Sequence, residues 1–473
     1  MNAVGGAGAG SSPFAAGALA VANVDALLYG VAPRPVACRR GFKIGAGTVI
    51  PEINFTLPPM NIAEGTWSQV RREYTEIIEG VCQRAIDLEV PALLVEFETL
   101  PPMTVNPAWG LEITRLLADT LETFAQRDGL KSALRLTPND SRDHERPPRM
   151  RSGPYWDGMV EVFRGAAAAG ADMLAIESTG GKEVCDEALM GADLRTMVFA
   201  LGVLAPRDME FLWREIVAAC REGGIVPSGD TACGFANTAL ALAEQKMLPR
   251  VFAAVVRVAS VPRGLVAYEQ GAVGPSKDCA YEGPYMKAIC GVPISMEGRS
   301  AACAHLSTLG NIAQAVCDCW SNESVQNVRL LSASAPVVSV EQLAYDCRLL
   351  NLAASRSPED ARRLRDLLVD SDAALDPQAY VLRPDVVMRI SAEIVKERSP
   401  YLRTRKAVLA AIQEIRSAHA AGDLRILPNE VRWLDRLARS ADALPEDEGA
   451  FIEEMMEALK DSPYLPAEYG LPA

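Results

Sequence analysis

The chain has 473 residues, more than the roughly 250 to 300 that one hydrophobic core serves, so its length allows a large domain and a smaller companion. Hydrophobic residues make up 49% and charged residues 23%, as in ordinary soluble globular proteins, and the formal net charge of -14 comes with no basic stripe interleaved with aromatics, which excludes a reader of nucleic-acid backbones. The 11 cysteines are odd in number, scattered and free of any CxxC pair, which excludes a disulfide framework and fits a reducing cytoplasm.

In chain order, the first stretch, "MNAVGGAGAGSSPFAAGALAVANVDALLYG", is rich in small residues. No Lys or Arg precedes its apolar part and Asn23 and Asp25 interrupt it, so it reads neither as a signal peptide nor as a membrane span. Residues 1–20 are expected to form a disordered leader. From about residue 45 to 335, short apolar runs alternate with segments of helical periodicity. The candidate strands are 48–55, 92–98, 132–137, 172–178, 224–230, 252–259, 291–297 and 325–332. The intervening amphipathic stretches include 66–88, 109–127, 208–224 and 300–320, and in the first of them Val70, Tyr74, Ile77, Ile78, Val81 and Ala85 recur at helical spacing. Eight βα units predict a closed (β/α)8 barrel of TIM type over residues 21–335. An open doubly wound sheet is the second choice, because no Gly-rich dinucleotide fingerprint follows the first strand. Beyond residue 336 the pattern is wholly helical: "SPED" (357–360) reads as a Ser cap, Pro at the first helical position and an acidic first turn, and "LPEDEGAFIEEMMEALK" begins in a similar way. This predicts an appended helical domain, 336–473, that covers a barrel flank or makes a subunit contact.

Barrels of this kind build their sites at the C-terminal ends of the strands. There the predicted strands bring Glu177, Cys233 and Cys279 to one face, with Glu96, Glu98, Asp230, Asp278 and Glu297 in the same strand ends and loops. Two thiolates and a carboxylate supply three ligands of a four-coordinate zinc ion and leave one position open for substrate. Against the ion's charge of +2 they make a milder Lewis acid than three imidazoles do and a stronger one than three thiolates. Histidine is scarce: His144, His305 and His419 are all there is, too few at the strand ends for a site built on several imidazoles. A Glu at a strand end also serves as an ion-pair partner, and a Cys there as a small buried apolar residue, and spacing alone does not choose among these roles. Cys82, Cys220, Cys317, Cys319 and Cys347 sit within helical periodicity and are assigned to packing.

At these residues the sequence resembles a family. The stretches "IPEINFTLPPM", "AIESTGGKEVCDEAL", "GDTACGFANTA", "GPSKDCAYEGPYMKAICGVPISMEGRSAACAH" and "CWSNESVQNVRLLSASAP" look like those of the zinc-containing methanol:corrinoid methyltransferases, over roughly residues 30–355. The resemblance implies a (β/α)8 barrel with one zinc held by a Glu and two Cys. Carried over, these are Glu177 in "AIES", Cys233 in "DTACG" and Cys279 in "SKDCAYE", with Cys290 and Cys303 as nearby alternatives to the last.

It also implies the activity: methanol gives up its methyl group to the Co(I) corrinoid of a partner protein, and the corrinoid is the partner's cofactor, since no "DxHxxG"-like segment is present here. An alcohol oxygen leaves poorly, so its charge must be stabilised and a proton supplied. Asp230, Asp278 and Glu297 are the candidates for proton delivery or for orienting the ligands. The attacking metal belongs to another protein, so the barrel mouth must be a broad funnel, and the long segment 179–208, with Gly180 and Gly181, has room to shape its wall. Rival readings keep the zinc and the partner but use another small methoxy or alcohol donor, or retain only non-catalytic binding of the corrinoid protein. A homo- or hetero-oligomer is expected.

Overall fold

The computed structural model describes residues 17–58, 60–277, 279, 281–298, 309–325 and 333–472. Seven strands, β3 (Ile50–Thr56), β4 (Leu93–Glu98), β5 (Ser132–Thr137), β6 (Met173–Ile176), β7 (Val226–Asp230), β8 (Ser295–Glu297) and β9 (Cys319–Val325), form one parallel sheet in the order β7-β6-β5-β4-β3-β9-β8. Helices cover its outer face. The helix Trp67–Asp87 buries the six residues the helical spacing singled out, together with Cys82. The helices Pro107–Asp128 and Ala205–Gly223 likewise fall on predicted stretches.

Three expectations need correction. The run 252–259, expected as the sixth strand, lies in the helix Arg250–Ala259, in which every residue from Val251 to Ala259 is buried. A short, predominantly apolar run has the same appearance as a buried strand or a helix enclosed on all sides, so periodicity could not separate them. It continues into the helix Val261–Gln270, and the combined stretch is long and apolar enough to cross a membrane, yet its most apolar window is wholly buried inside the protein. The last strand begins earlier than the expected 325–332: Cys319 and Trp320, assigned to a helix over 300–320, pair with Ile50 and Pro51 of β3. Residues 300–308 and 326–332 lie outside the described residues.

The gap left by the missing strand is spanned by an extended stretch. Val273 and Gly274 donate from their backbone N–H groups to Pro227 and Ser228 of β7, at 2.9 and 2.8 Å, and Ser276 donates to Pro293 just before β8 at 3.2 Å. The sheet is therefore seven regular strands curled around, with residues 273–276 as an irregular stave between its two edges.

A hairpin that the βα alternation does not predict, β1 (Val31–Cys38) and β2 (Phe42–Ala46), closes the opposite end. Its Val36, Cys38 and Ile44 pack with Ile50, Leu94, Ala133, Met173 and Cys319, all at or near the starts of sheet strands. Arg40 anchors the turn by donating to Asp172 at 3.0 Å and to the Ser132 carbonyl at 3.2 Å. The N-terminal mouth is thus plugged.

Past residue 335 the described chain is helical, in agreement with its charge and capping pattern. The helix Ala335–Arg356 lies on the sheet, where Asn351 brackets Val49 by accepting from its N–H at 2.8 Å and donating to its carbonyl at 2.9 Å. Later helices attach through Arg403 to Glu269 at 2.8 Å and through Tyr285, whose hydroxyl donates to the Val381 carbonyl at 2.6 Å. Their buried apolar residues join the same hydrophobic cluster as the barrel helices. Of the expected leader, 1–16 lie outside the described residues, while Gly17 donates to the Val395 carbonyl and Ala20 to that of Ala288, each at 3.0 Å.

Ser357 caps its helix as the sequence predicts, accepting from the Asp360 N–H at 3.0 Å. The later helix is capped by Asp447, whose carboxylate accepts from Ala450, with no Pro in its first turn. Replacing Ser357 by Ala is expected to lower the unfolding free energy by about 1 kcal/mol in a urea titration followed by circular dichroism. An unchanged midpoint would mean that water satisfies the freed amide.

Candidate metal centre

The C-terminal end of β6 delivers Glu177, and the turn that follows is held on every side. Ser178 donates from N and Oγ to Asp230 Oδ1, at 3.3 and 3.1 Å. Thr179 donates from N and Oγ1 to Asp140 Oδ2, at 2.9 and 3.0 Å. Asp140 is gripped by Arg142, which also holds Asp208 at 2.8 Å. All three are fully buried; burial opposes the charge on Arg142, but Asp140 and Asp208 outweigh it and raise its pKa, while Arg142 keeps Asp140 below its ordinary value despite burial. Gly180 and Gly181 are required here. A Cβ on Gly180 would sit 2.3 Å from Asp208, and Gly181 has φ of +82° with the Ala200 carbonyl 3.0 Å from where its Cβ would be.

β7 ends at Asp230, and Cys233 opens a wide, π-type helical turn, Cys233–Asn237. The Ala232 N–H donates to Glu282 Oε1 at 2.7 Å, and Asn237 Nδ2 approaches Cys233 Sγ at 3.6 Å. The third element is the irregular stave, which carries Lys277 and Cys279 past its end.

These elements bring one ligand atom each from Glu177, Cys233 and Cys279 within 4.8 Å of one another, and Cys279 Sγ donates to Glu177 Oε1 at 3.0 Å. A tetrahedral zinc with ordinary Zn–S and Zn–O lengths sets its ligand atoms about 3.6 to 3.8 Å apart, so small side-chain shifts fit this donor set to the ion. The thiols answer to the same crowding. The hydrogen bond to Cys233, then burial and the Glu177 charge push Cys279 well up. Cys233 is lowered by its bond with Cys279, but burial and the charges of Glu177 and Glu297 prevail and take it to about 11. Two neighbouring thiols that resist ionisation are what a bound cation would reverse. Glu177 and Cys233 are half-buried and Cys279 is buried, so the cluster opens on one side.

Of the three carboxylates expected to move a proton or orient ligands, Asp230 has both oxygens committed: Oδ1 also meets Arg263 at 3.2 Å, and Oδ2 accepts from Trp213 Nε1 at 3.0 Å. Glu297 is fully buried at the end of β8, close enough for its charge to raise Cys233 and Tyr281. Asp278 lies outside the described residues. Cys290 is buried in the helix Gly283–Cys290 and takes no part in the cluster, and Cys303 and His305 lie outside the described residues.

Sequence reasoning named Glu96 and Glu98 but missed the rest of the polar layer beneath, above all its cations. Lys277 is fully buried and its Nζ meets Glu96 at 3.2 Å, Glu177 at 3.4 Å, and Glu98. Glu98 also accepts from Asn54 at 2.9 Å. Arg135 pairs with Glu52 and, at 3.2 Å, with Glu96, and donates to the Ser276 carbonyl at 2.7 Å. The signal was available: Glu52/Asn54, Glu96/Glu98 and Arg135/Thr137 are polar pairs spaced by two on three successive strands, and Asn54, Glu96 and Arg135 stand in one register row.

The chain matches the family model described as methanol-cobalamin methyltransferase B subunit over residues 15–470. It is 37% identical over 458 residues to the methanol–corrinoid protein co-methyltransferase of Methanosarcina barkeri (strain Fusaro / DSM 804), covering 96% of this chain and 98% of that protein. It superposes with a TM-score of 0.92 and 36% identity on a chain of the methanol:cobalamin methyltransferase complex MtaBC from Methanosarcina barkeri, covering 96% of this chain and 99% of that one. The protein whose barrel carries this Glu-Cys-Cys cluster belongs to the methanol-cobalamin methyltransferase B subunit family.

Proposed function

We propose that this chain takes the methyl group of methanol and passes it to the corrinoid of a partner protein, using one zinc ion held by Glu177, Cys233 and Cys279. The convergence of those three ligand atoms at the open end of the barrel carries the reading, together with family membership. When bound, the ion supplies Lewis acidity at the alcohol oxygen. The chain's own residues do the rest.

Glu177 and the two thiols hold the ion, and Lys277, 3.4 Å from Glu177, offsets the negative excess of three anionic ligands. Asp230 orients the turn that presents Glu177. Glu297 is the carboxyl assigned to proton delivery, so that the oxygen departs as water while the methyl carbon moves to cobalt. The half-buried Glu177 and Cys233 leave the mouth accessible to a corrinoid face, and the segment 179–208 forms part of its wall. A cytoplasmic location belongs to the same reading: the ten cysteines among the described residues, all free, suit a reducing compartment.

Anaerobic metal analysis tests the centre. About one zinc per wild-type chain is expected, lost or weakened in Cys279→Ser, and a wild-type chain without zinc would sink the assignment. Glu297→Gln is expected to keep its zinc and lose about 100-fold in kcat; an unchanged kcat would remove Glu297 from proton transfer. Turnover of methanol, ethanol and a methoxylated aromatic is then compared with reduced corrinoid protein. If only a larger donor reacts, methanol is the wrong substrate.

A further inference from the structure

A tyrosine distant in sequence ties down the turn that carries Glu177. Tyr469 is fully buried, and its hydroxyl accepts from the Gly181 N–H at 2.9 Å while donating to Glu183 Oε1 at 2.6 Å. Gly181 sits four residues after Glu177, at the point where the left-handed backbone turns into the helix Lys182–Gly191. That N–H belongs to the start of a helix and needs an acceptor. Among the described residues no backbone carbonyl accepts from it, and the phenol oxygen does.

The segment bearing this tyrosine is docked independently of the turn. Glu468 accepts from the Arg151 N–H at 2.7 Å and from Ser152 Oγ at 3.4 Å. Ser462 donates to Glu187 at 3.1 Å, on the same helix as Glu183. Tyr464 lies edge-on to Phe199 at 6.3 Å between ring centres, and Leu471 is buried. Residues 462–471 therefore form a strap across the loop at 150–152 and the helix that leads away from Glu177. Its one buried polar side chain aimed at the turn is Tyr469.

We propose that Tyr469 is a positioning residue of the metal centre: its hydroxyl fixes Gly181 and Glu183, and through them the Glu177 carboxylate, at the separation from Cys233 and Cys279 that a bound ion requires. This rests on the metal reading given above. Asp140 and Asp230 hold the near side of the turn, and Tyr469 holds the far side. With the far side released, Glu177 keeps its hydrogen-bonding neighbours but loses its fixed reach. Burial above all pushes Glu183 up to about 7, and a buried carboxyl facing Asp208 depends on the phenol as its donor.

The test is zinc affinity of the full chain, measured by competition with a chromophoric chelator, alongside amide exchange at 179–183. Tyr469→Phe keeps the ring and removes both hydrogen bonds; about a tenfold weaker affinity and faster exchange at Gly181 are expected. Glu183→Gln retains an oxygen that accepts from the phenol and is expected to bind nearly as wild type does. Leu434→Ala, in the distant helix Pro428–Asp442, serves as a control that destabilises the fold without touching the turn, and its zinc affinity should not change. Tyr469→Phe affinity within about twofold of wild type would overturn the proposal and leave the metal reading standing. An equal loss in Leu434→Ala would overturn it too, because the effect would then be general destabilisation. A wild-type chain that binds no zinc would overturn the metal reading and this proposal with it.

Discussion

The buried ammonium of Lys277 is the interaction on which the interior depends. A lysine with no exposed surface costs several kcal/mol unless it is paired, and here it meets Glu96, Glu98 and Glu177 at once. Each of those carboxylates is located by something else: Glu96 by Arg135 and Thr137, Glu98 by Asn54, Glu177 by the end of β6. The barrel is therefore filled at its upper end by a charged lattice, where branched apolar side chains are usual. Among the residues of this lattice, the four carboxylates Glu52, Glu96, Glu98 and Glu177 face two cations, Arg135 and Lys277, and the imbalance favours further positive charge at the mouth.

Lys277 reaches that position because one stave of the barrel is not a strand. A regular strand between β7 and β8 would have had to contribute ladder bonds along its length. Among the described residues the stretch 273–276 makes three such bonds and then releases the chain, so that Lys277 and Cys279, two residues apart, both turn inward. The helices Arg250–Ala259 and Val261–Gln270 occupy the place in sequence where the strand would have come, and both are largely buried. Irregular backbone at this point thus serves the site, and its carbonyls are not wasted: those of Pro275 and Ser276 accept from Arg135, and that of Pro275 also accepts from Ser228.

How much of this was legible follows from what each signal encodes. The strands at 92–98, 132–137 and 172–178 and the helices around Trp67–Asp87 and Ala205–Gly223 are local events, written in periodicity and capping. The run 252–259 is also local but ambiguous, since a segment buried on all sides has no polar face to report its period. The hairpin β1–β2 is invisible to a βα pattern because it lies before the first unit and seals the barrel from below. Glu177, Cys233 and Cys279 were found from strand ends and from resemblance, and the geometry brings them together. Lys277, Arg135 and Tyr469 were not found. Each acts through at least one partner more than 80 residues away in sequence, and a pairing of that reach leaves no pattern in a single sequence except the spacing of two along the strands.

The design that emerges separates rigidity from access. An acceptor carried by another protein must approach the reacting carbon, and the half-buried Glu177 and Cys233 leave the cluster open on one side. Exposed ligands on loops would ordinarily wander. Here the turn after β6 is clamped by Asp140, Asp230 and Tyr469, the thiol after β7 sits at the head of a helical turn, and the thiol after the stave follows a buried lysine. Each member of the cluster is anchored by the residues immediately behind it, away from the solvent side. The open face can then remain unobstructed, because none of the groups that fix the geometry of Glu177, Cys233 and Cys279 has to stand on its solvent side.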